Sequence, residues 1–247
     1  MKKGYLMRVA VLLLLLVGGV LHANRLLAQT RIPREVHLGV VGGGALSEYT
    51  FHPQVTQQYT KGYTTGVAIR YIEETLFGLQ AELLLTQRGY SDYYEDEPEL
   101  QFTRKLTYLE MPILAHVYFN VGSKHVVTFD AGPKLGYYLW DDISSTLPDN
   151  FGQLGDTQHF GAVWKHHQLE VTKKFDYGIM AGLGYEFKFN KEMSAQISGR
   201  YYYGLGNMWP DSKSDDFEVS SNQSIHLVLS VWWHRVIRGK RITRNNK

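Results

Sequence analysis

The 247-residue sequence contains no cysteine. A disulfide framework, a thiolate metal site and lipid attachment through a cysteine are therefore excluded. Beyond residue 28 there is also no run of 18 or more consecutive apolar residues, so this part holds no transmembrane helix. An excess of basic charge is missing as well. Residues 1–28 contain four basic side chains and no acid, which leaves 22 basic against 24 acidic from Gln29 onward. Six of those basic residues sit in the last thirteen, RVIRGKRITRNNK, and without them the body stands at −8. A nucleic-acid-binding surface is not expected from such a balance. The length suits one domain or one barrel of moderate strand number.

What is present begins with MKKGYLMRVAVLLLLLVGGVLHANRLLAQT. Lys2, Lys3 and Arg8 precede an uncharged run from Val9 to Val20, and small residues follow at Ala23 and Ala28. This is the order of a secretory signal peptide, and a twelve-residue apolar run falls short of the roughly 20 residues that a membrane-spanning helix needs. Residues 1–28 are expected to be removed, with Ala23 as an alternative cleavage site.

Eight segments rich in aromatic and β-branched residues alternate in polarity: about 35–44, 62–72, 76–89, 102–119, 124–140, 173–189, 192–206 and 222–236. The links between them alternate too. Short turns at IEET, NVGSK and FNKE follow the second, fourth and sixth segments, while long polar links follow the others, among them SDYYEDEPEL and the stretch from Asp141 to Thr172. Outer-membrane barrels sort their connections in this way, with short periplasmic turns and long external loops. A soluble sandwich has no reason to do so.

Each segment splits into two faces. In YLEMPILAHVYF, Leu109, Met111, Ile113, Ala115, Val117 and Phe119 alternate with Tyr108, Glu110, Pro112, Leu114, His116 and Tyr118. Side chains along a strand point alternately to opposite sides, so Glu110 and His116 share a face that the apolar set never touches. GLQAELLLTQRG and SIHLVLSVWWH divide likewise. Alternation alone leaves open which face is inside, because a soluble barrel and a membrane barrel use it in opposite senses. Two features favour the membrane. Gly66, Gly132, Gly136, Gly178, Gly182 and Gly184 fall on the polar face, where a narrow interior is crowded. Aromatic residues gather near strand ends (Tyr63, Tyr71, Phe119, Tyr137, Trp140, Tyr201, Tyr203, Trp233), as interfacial girdles do.

The stretches GLQAELLLTQRG, YLEMPILAHVYF, FDAGPKLGYYL, FDYGIMAGLGYEF, SGRYYYGL and SIHLVLSVWWH, spanning nearly the whole chain after the leader, resemble the PorT-like outer-membrane β-barrel family of Bacteroidetes. The resemblance implies an eight-stranded, OmpA-like barrel in the outer membrane. One branch of that family is tied to type IX secretion and gliding. Two departures stand out: the long link from Asp141 to Thr172, and a last strand followed by a basic tail where many barrels end on an aromatic.

The expected fold is thus an all-β, eight-stranded antiparallel up-and-down transmembrane β-barrel over residues 29–236, with a basic periplasmic tail at 237–247. Its lumen face carries Arg70, Glu82, Arg88, Glu110, Asp130, Lys134, Asp176, Glu186 and Arg200, together with His116 and His226. Buried charges are costly unless paired, and an eight-stranded barrel is just wide enough for its side chains to fill it. These residues are expected to form a structural charge network, and the lumen a plug. Glu82 and Glu110 acting as general acid and base would need an open cleft. His159, His166 and His167 match no zinc spacing, and SDYYEDEPE lacks the glycine and ordered oxygen positions of a calcium loop. No cofactor, metal or catalytic residue is expected. The expected partners are outer-membrane lipid and a protein met through the external loops or the basic tail. A lipid A-modifying enzyme is the alternative of another class, but no Ser and His pair falls on the lipid face. Pro112 removes a ladder donor, so a bulge or irregularity is expected there.

Overall fold

The computed structural model describes residues 34–52, 57–93, 101–147, 170–209 and 219–237. The expected signal peptide at 1–28, the tail from 238 on, His159, His166 and His167, and most of the acidic run lie outside the described residues. Nine strands follow in order: β1 (Arg34–His52), β2 (Gln57–Gln58), β3 (Thr60–Glu74), β4 (Phe77–Tyr93), β5 (Gln101–Val121), β6 (His125–Ser145), β7 (Phe175–Lys188), β8 (Met193–Gly204) and β9 (Val219–Ile237). Eight are long, and each pairs antiparallel with its neighbours in the chain. The two-residue β2 only extends the margin of β4, pairing Gln57 with Asp92 and Gln58 with Ser91.

Closure comes from β1 and β9, whose pairing runs from Arg34↔Ile237 to His52↔Val219. Every long strand therefore has two partners, which removes the free edges that would otherwise invite aggregation. The short links join β3 to β4, β5 to β6 and β7 to β8, and they share one end of the barrel with Arg34 and Ile237. At the β5–β6 turn Gly122 adopts φ +83°, a left-handed conformation that a side chain would disfavour.

Burial settles which face is inside. On β5, Tyr108, Glu110, Pro112, Leu114 and His116 are buried, while Leu109, Met111 and Phe119 are exposed. The exposed large hydrophobics of the other strands follow the same rule, with Leu227 at 62% and Leu229 at 64%. An apolar exterior around a polar interior is the membrane arrangement. Outward-facing polar and charged residues mark its limits: Lys61 and Glu73 flank 63–71 on β3, and the neutral Gln223 and the charged Arg235 flank 225–233 on β9. These nine-residue spans match the roughly 9 to 11 residues a tilted strand needs to cross a bilayer. Tyr71, Phe119, Tyr185 and Trp233 lie toward the short-turn end of the band, and Tyr63, Tyr137, Tyr177 and Tyr203 toward the other.

Beyond the band, on the long-loop side, β1, β4, β5 and β6 continue as a wall, whereas β7 starts at Phe175 and β8 stops at Gly204. Inside this wall Tyr49, Phe51, Tyr90, Phe102, Leu106, Tyr108, Met208 and Trp209 form an apolar cap. Phe51 stacks on Trp209 at 5.2 Å, and Tyr90 meets Phe51 edge-on at 5.2 Å.

The irregularities fall partly elsewhere than Pro112. There the β4–β5 pairing lapses opposite Glu82 and Leu83 and resumes in the same register, Leu84↔Glu110 and Ala81↔Ile113. The bulge lies further up, where Thr107 pairs with Trp140 but Tyr108 with Tyr138, leaving Leu139 as the extra residue. A proline can forgo a ladder bond without changing the residue count, whereas an extra residue reverses the alternation beyond it. The reversal brings Asp141 to the inside, where it accepts from Arg104 Nε at 2.5 Å and from the Tyr138 hydroxyl at 2.6 Å.

An arginine placed in the middle of the lipid face tests this orientation. Leu229→Arg is expected to lower folding stability in lipid vesicles by about 2–4 kcal/mol, measured by urea titration. Ser230→Ala, one residue away but facing inward, is expected to change it far less.

Candidate functional site

The lumen is the site where the chain concentrates its chemistry. All nine charged residues expected there are buried, from Arg88 and Glu110 at 0% to Asp176 at 9% exposure, and His116 and His226 join them. Glycines make the room. A Cβ on Gly182 would lie 2.8 Å from Arg200 Cγ and 2.9 Å from the Gly199 carbonyl oxygen, and one on Gly184 would lie 2.6 Å from Gln196 Nε2. Long side chains of β8 can thus lie flat across β7.

Three guanidinium groups span the lumen between strands that are not neighbours. Arg70 on β3 donates from Nη1 to Glu186 Oε2 on β7, from Nη2 to Gln196 Oε1 on β8 and from Nε to Gln80 Oε1 on β4, each at 2.8 Å. Arg88 on β4 donates to Asp176 on β7 and, at 2.9 Å, to Asn222 Oδ1 on β9. Arg200 on β8 donates to Glu82 Oε2 on β4 at 2.7 Å. The fourth cation, Lys134 on β6, donates to both oxygens of Glu110 on β5 at 2.9 Å, with Arg88 Nε 3.4 Å from the same carboxylate.

Five carboxylates face four Arg and Lys side chains, and the fifth, Asp130, accepts from His116 Nδ1 at 2.6 Å. Aromatic faces supply further contacts. Arg70 lies 4.0 Å over Trp232, Arg88 3.9 Å over Tyr108, and Lys134 Nζ 3.5 Å over Tyr202. Arg70, Arg88 and Lys134 thus each have an anion on one side and a π-cloud on another, and Arg200 has Glu82 and the Ser198 hydroxyl, which is what makes charge tolerable where water is excluded.

Glu82 and Glu110 are not brought together as an acid–base pair. Glu82 also accepts from Gln80 and is committed to Arg200, and Glu110 is committed to Lys134. Neither opens onto a cleft, since both are at 3% exposure or less. Near the cap a small cavity of about 10 Å³ is lined by Tyr49, Tyr108, Lys173 and Asp176.

The charge pattern pointed to the ionic members of the plug and missed the neutral ones. Gln80, Gln196, Asn222, Tyr202 and Trp232 complete it: Tyr202 donates to Asp176 at 2.8 Å, and Trp232 Nε1 to Gln196 Oε1 at 3.0 Å. Each stands on the inward parity of its strand, so extending the alternation to uncharged polar residues would have found them.

A closed antiparallel barrel with an apolar band outside and a buried ion-paired interior is an outer-membrane β-barrel. The chain belongs to the outer membrane protein beta-barrel domain family, whose model matches residues 27–209. No curated protein matches it in sequence. Among solved structures it is similar to the outer membrane protein OprG from Pseudomonas aeruginosa, with a TM-score of 0.47, 9% identity and coverage of 84% of this chain and 98% of that one. The outer membrane protein W of E. coli gives 0.43, 13%, 83% and 100%. The attachment invasion locus protein Ail of Yersinia pestis, solved with the heparin analogue sucrose octasulfate, gives 0.40, 13%, 83% and 100%.

Glu110→Gln removes the only carboxylate that Lys134 contacts among the described residues and leaves that cation buried. The expected loss is about 3–5 kcal/mol, the range for breaking one partner of a buried pair. It is read as a lower temperature for the shift from the compact to the unfolded gel band; an unshifted temperature would show that the network contributes little.

Proposed function

We propose that the protein serves the outer membrane as a structural or interaction barrel, and that it neither conducts solutes nor catalyses a reaction. The observation that carries this reading is the lumen: Arg70, Arg88 and Arg200 tie opposite walls together at membrane level, and the aromatic cap sits above them. A path for solutes would have to break these bonds. Contact with a partner then falls to the surfaces outside the band, namely the wall built by β1, β4, β5 and β6, the external loops and the basic tail. Residues 1–28 act as the export leader in this reading. Reconstituted in planar bilayers, the protein is expected to show no steady conductance above that of the bare membrane. Lipid A from cells with and without the protein is expected to have the same acyl-chain masses; a lost or shifted chain would favour a lipid-modifying enzyme instead.

The six stretches that resemble PorT-like barrels support a finer reading, a place in that Bacteroidetes branch and a role in its type IX secretion or gliding apparatus. Crosslinking in whole membranes tests it. Capture of secretion components by the full chain, lost on deletion of residues 237–247, is the expected result if the basic tail is the contact. Equal capture by both would move the contact to the loops.

A further inference from the structure

At the short-turn end of the barrel, Glu35, His37 and His234 bring one ligand atom each within 4.8 Å of one another. His37 on β1 and His234 on β9 are direct cross-strand partners at the closing seam, and their rings stack with centroids 3.9 Å apart and 7° between planes. Neutral imidazoles held face to face gain little from each other, and the hydrogen bonds around them leave acceptor capacity unused. Ser194 donates its one hydroxyl proton to Glu186 at 2.7 Å, so at 2.8 Å from His234 Nε2 it must accept. That assigns the His234 proton to Nε2 and leaves its Nδ1 with a lone pair. His37 contacts Glu35 Oε2 through Nε2 at 3.0 Å, while its Nδ1 is buried with no hydrogen-bond partner among the described residues, on a side chain only 4% exposed.

We infer that Glu35, His37 and His234 form a binding site for a divalent transition-metal ion of the zinc type, which clips the first strand to the last. Two imidazoles and one carboxylate are a donor set that zinc accepts, with a fourth position left for water. Bond lengths near 2.0–2.2 Å put ligand atoms roughly 3.3 Å apart, so the three groups must draw inward and the two rings must tilt out of their parallel stack to aim both lone pairs at one ion. The surroundings fit the ion as well. Ser194 and Glu186 hold His234 from behind, in the manner of the outer groups that orient metal-bound histidines. The cluster reaches the rim at two points: Glu35 is 32% exposed, and His234 lines a depression of about 670 Å³ with Leu38, Lys191, Glu192, Trp233, Arg235 and Val236. The three ligands are scattered over positions 35, 37 and 234, a spacing that no linear motif describes. Only closure of the barrel assembles them.

The test uses the full chain purified in detergent, dialysed against zinc and then against metal-free buffer. About one zinc per chain is expected by elemental analysis, together with a raised thermal midpoint of the barrel. Glu35→Gln is expected to weaken zinc affinity by at least about tenfold, since losing a ligand should cost no less than losing an outer-shell partner. The double variant His37→Gln with His234→Gln is expected to lose the bound zinc while keeping its heat-modifiable gel shift. If that folded variant retains one zinc per chain, the metal sits elsewhere and the inference fails. X-ray absorption on the zinc-loaded wild type decides the matter even if the variants do not fold: two imidazole nitrogens plus oxygen support the site, and fewer than two imidazoles overturn it.

Discussion

Bridges from guanidinium to carboxylate across the lumen are the constraint on which the rest of the barrel depends. Arg70 to Glu186, Arg88 to Asp176 and Arg200 to Glu82 each join strands on different sides of the ring. The backbone ladder holds only neighbours together and sets no cross-section. Bonds across the ring do set it, because a guanidinium with fixed fork geometry meets its carboxylate at one separation and one angle. The glycines of β7 and the lapse of the ladder at Pro112 are accommodations to that filling.

Polarity inside and hydrocarbon outside also explain why such costly groups are retained. A buried ion pair is often no better for stability than well-packed apolar residues. An apolar lumen, however, would erase the difference between the two faces of each strand, and with it the register information that one-sided burial provides. A slip of one residue here would put Arg70 or Glu110 into lipid and Val67 or Leu109 into the plug. The charges thus specify which way each strand faces as well as how the walls are spaced.

The seam between β1 and β9 differs from the other seven interfaces because it joins the first strand to the last: 166 residues separate His52 from Val219, its partners nearest in sequence, and the two strands meet only if every other register is right. Its short-turn end carries the stacked imidazoles of His37 and His234, with Arg70 and Trp232 just inside. A metal ion there would join the first strand to the last. At the opposite end, β1 contributes Tyr49 and Phe51 to the aromatic cap, so both ends of the seam are held by side chains as well as by the ladder.

Strand number, facing and the ionic plug were legible in the sequence, since an alternation of period two and a sorting of short from long links are local properties of the chain. Arg70, Glu82, Arg88, Glu110, Asp130, Lys134, Asp176, Glu186 and Arg200 could all be assigned inward by parity alone. Which acid meets which base could not, because Arg70 and Glu186 are separated by 116 positions and meet only through the curvature of the closed ring. The same holds for the bulge at Leu139, which brings Asp141 to Arg104, and for Glu35, His37 and His234. The sequence by itself determined a membrane barrel with a charged interior, because strand periodicity encodes two environments. Tertiary structure decided the pairings and the seam cluster, because distance across a barrel depends on register and shear summed over all strands, and no single segment contains that sum.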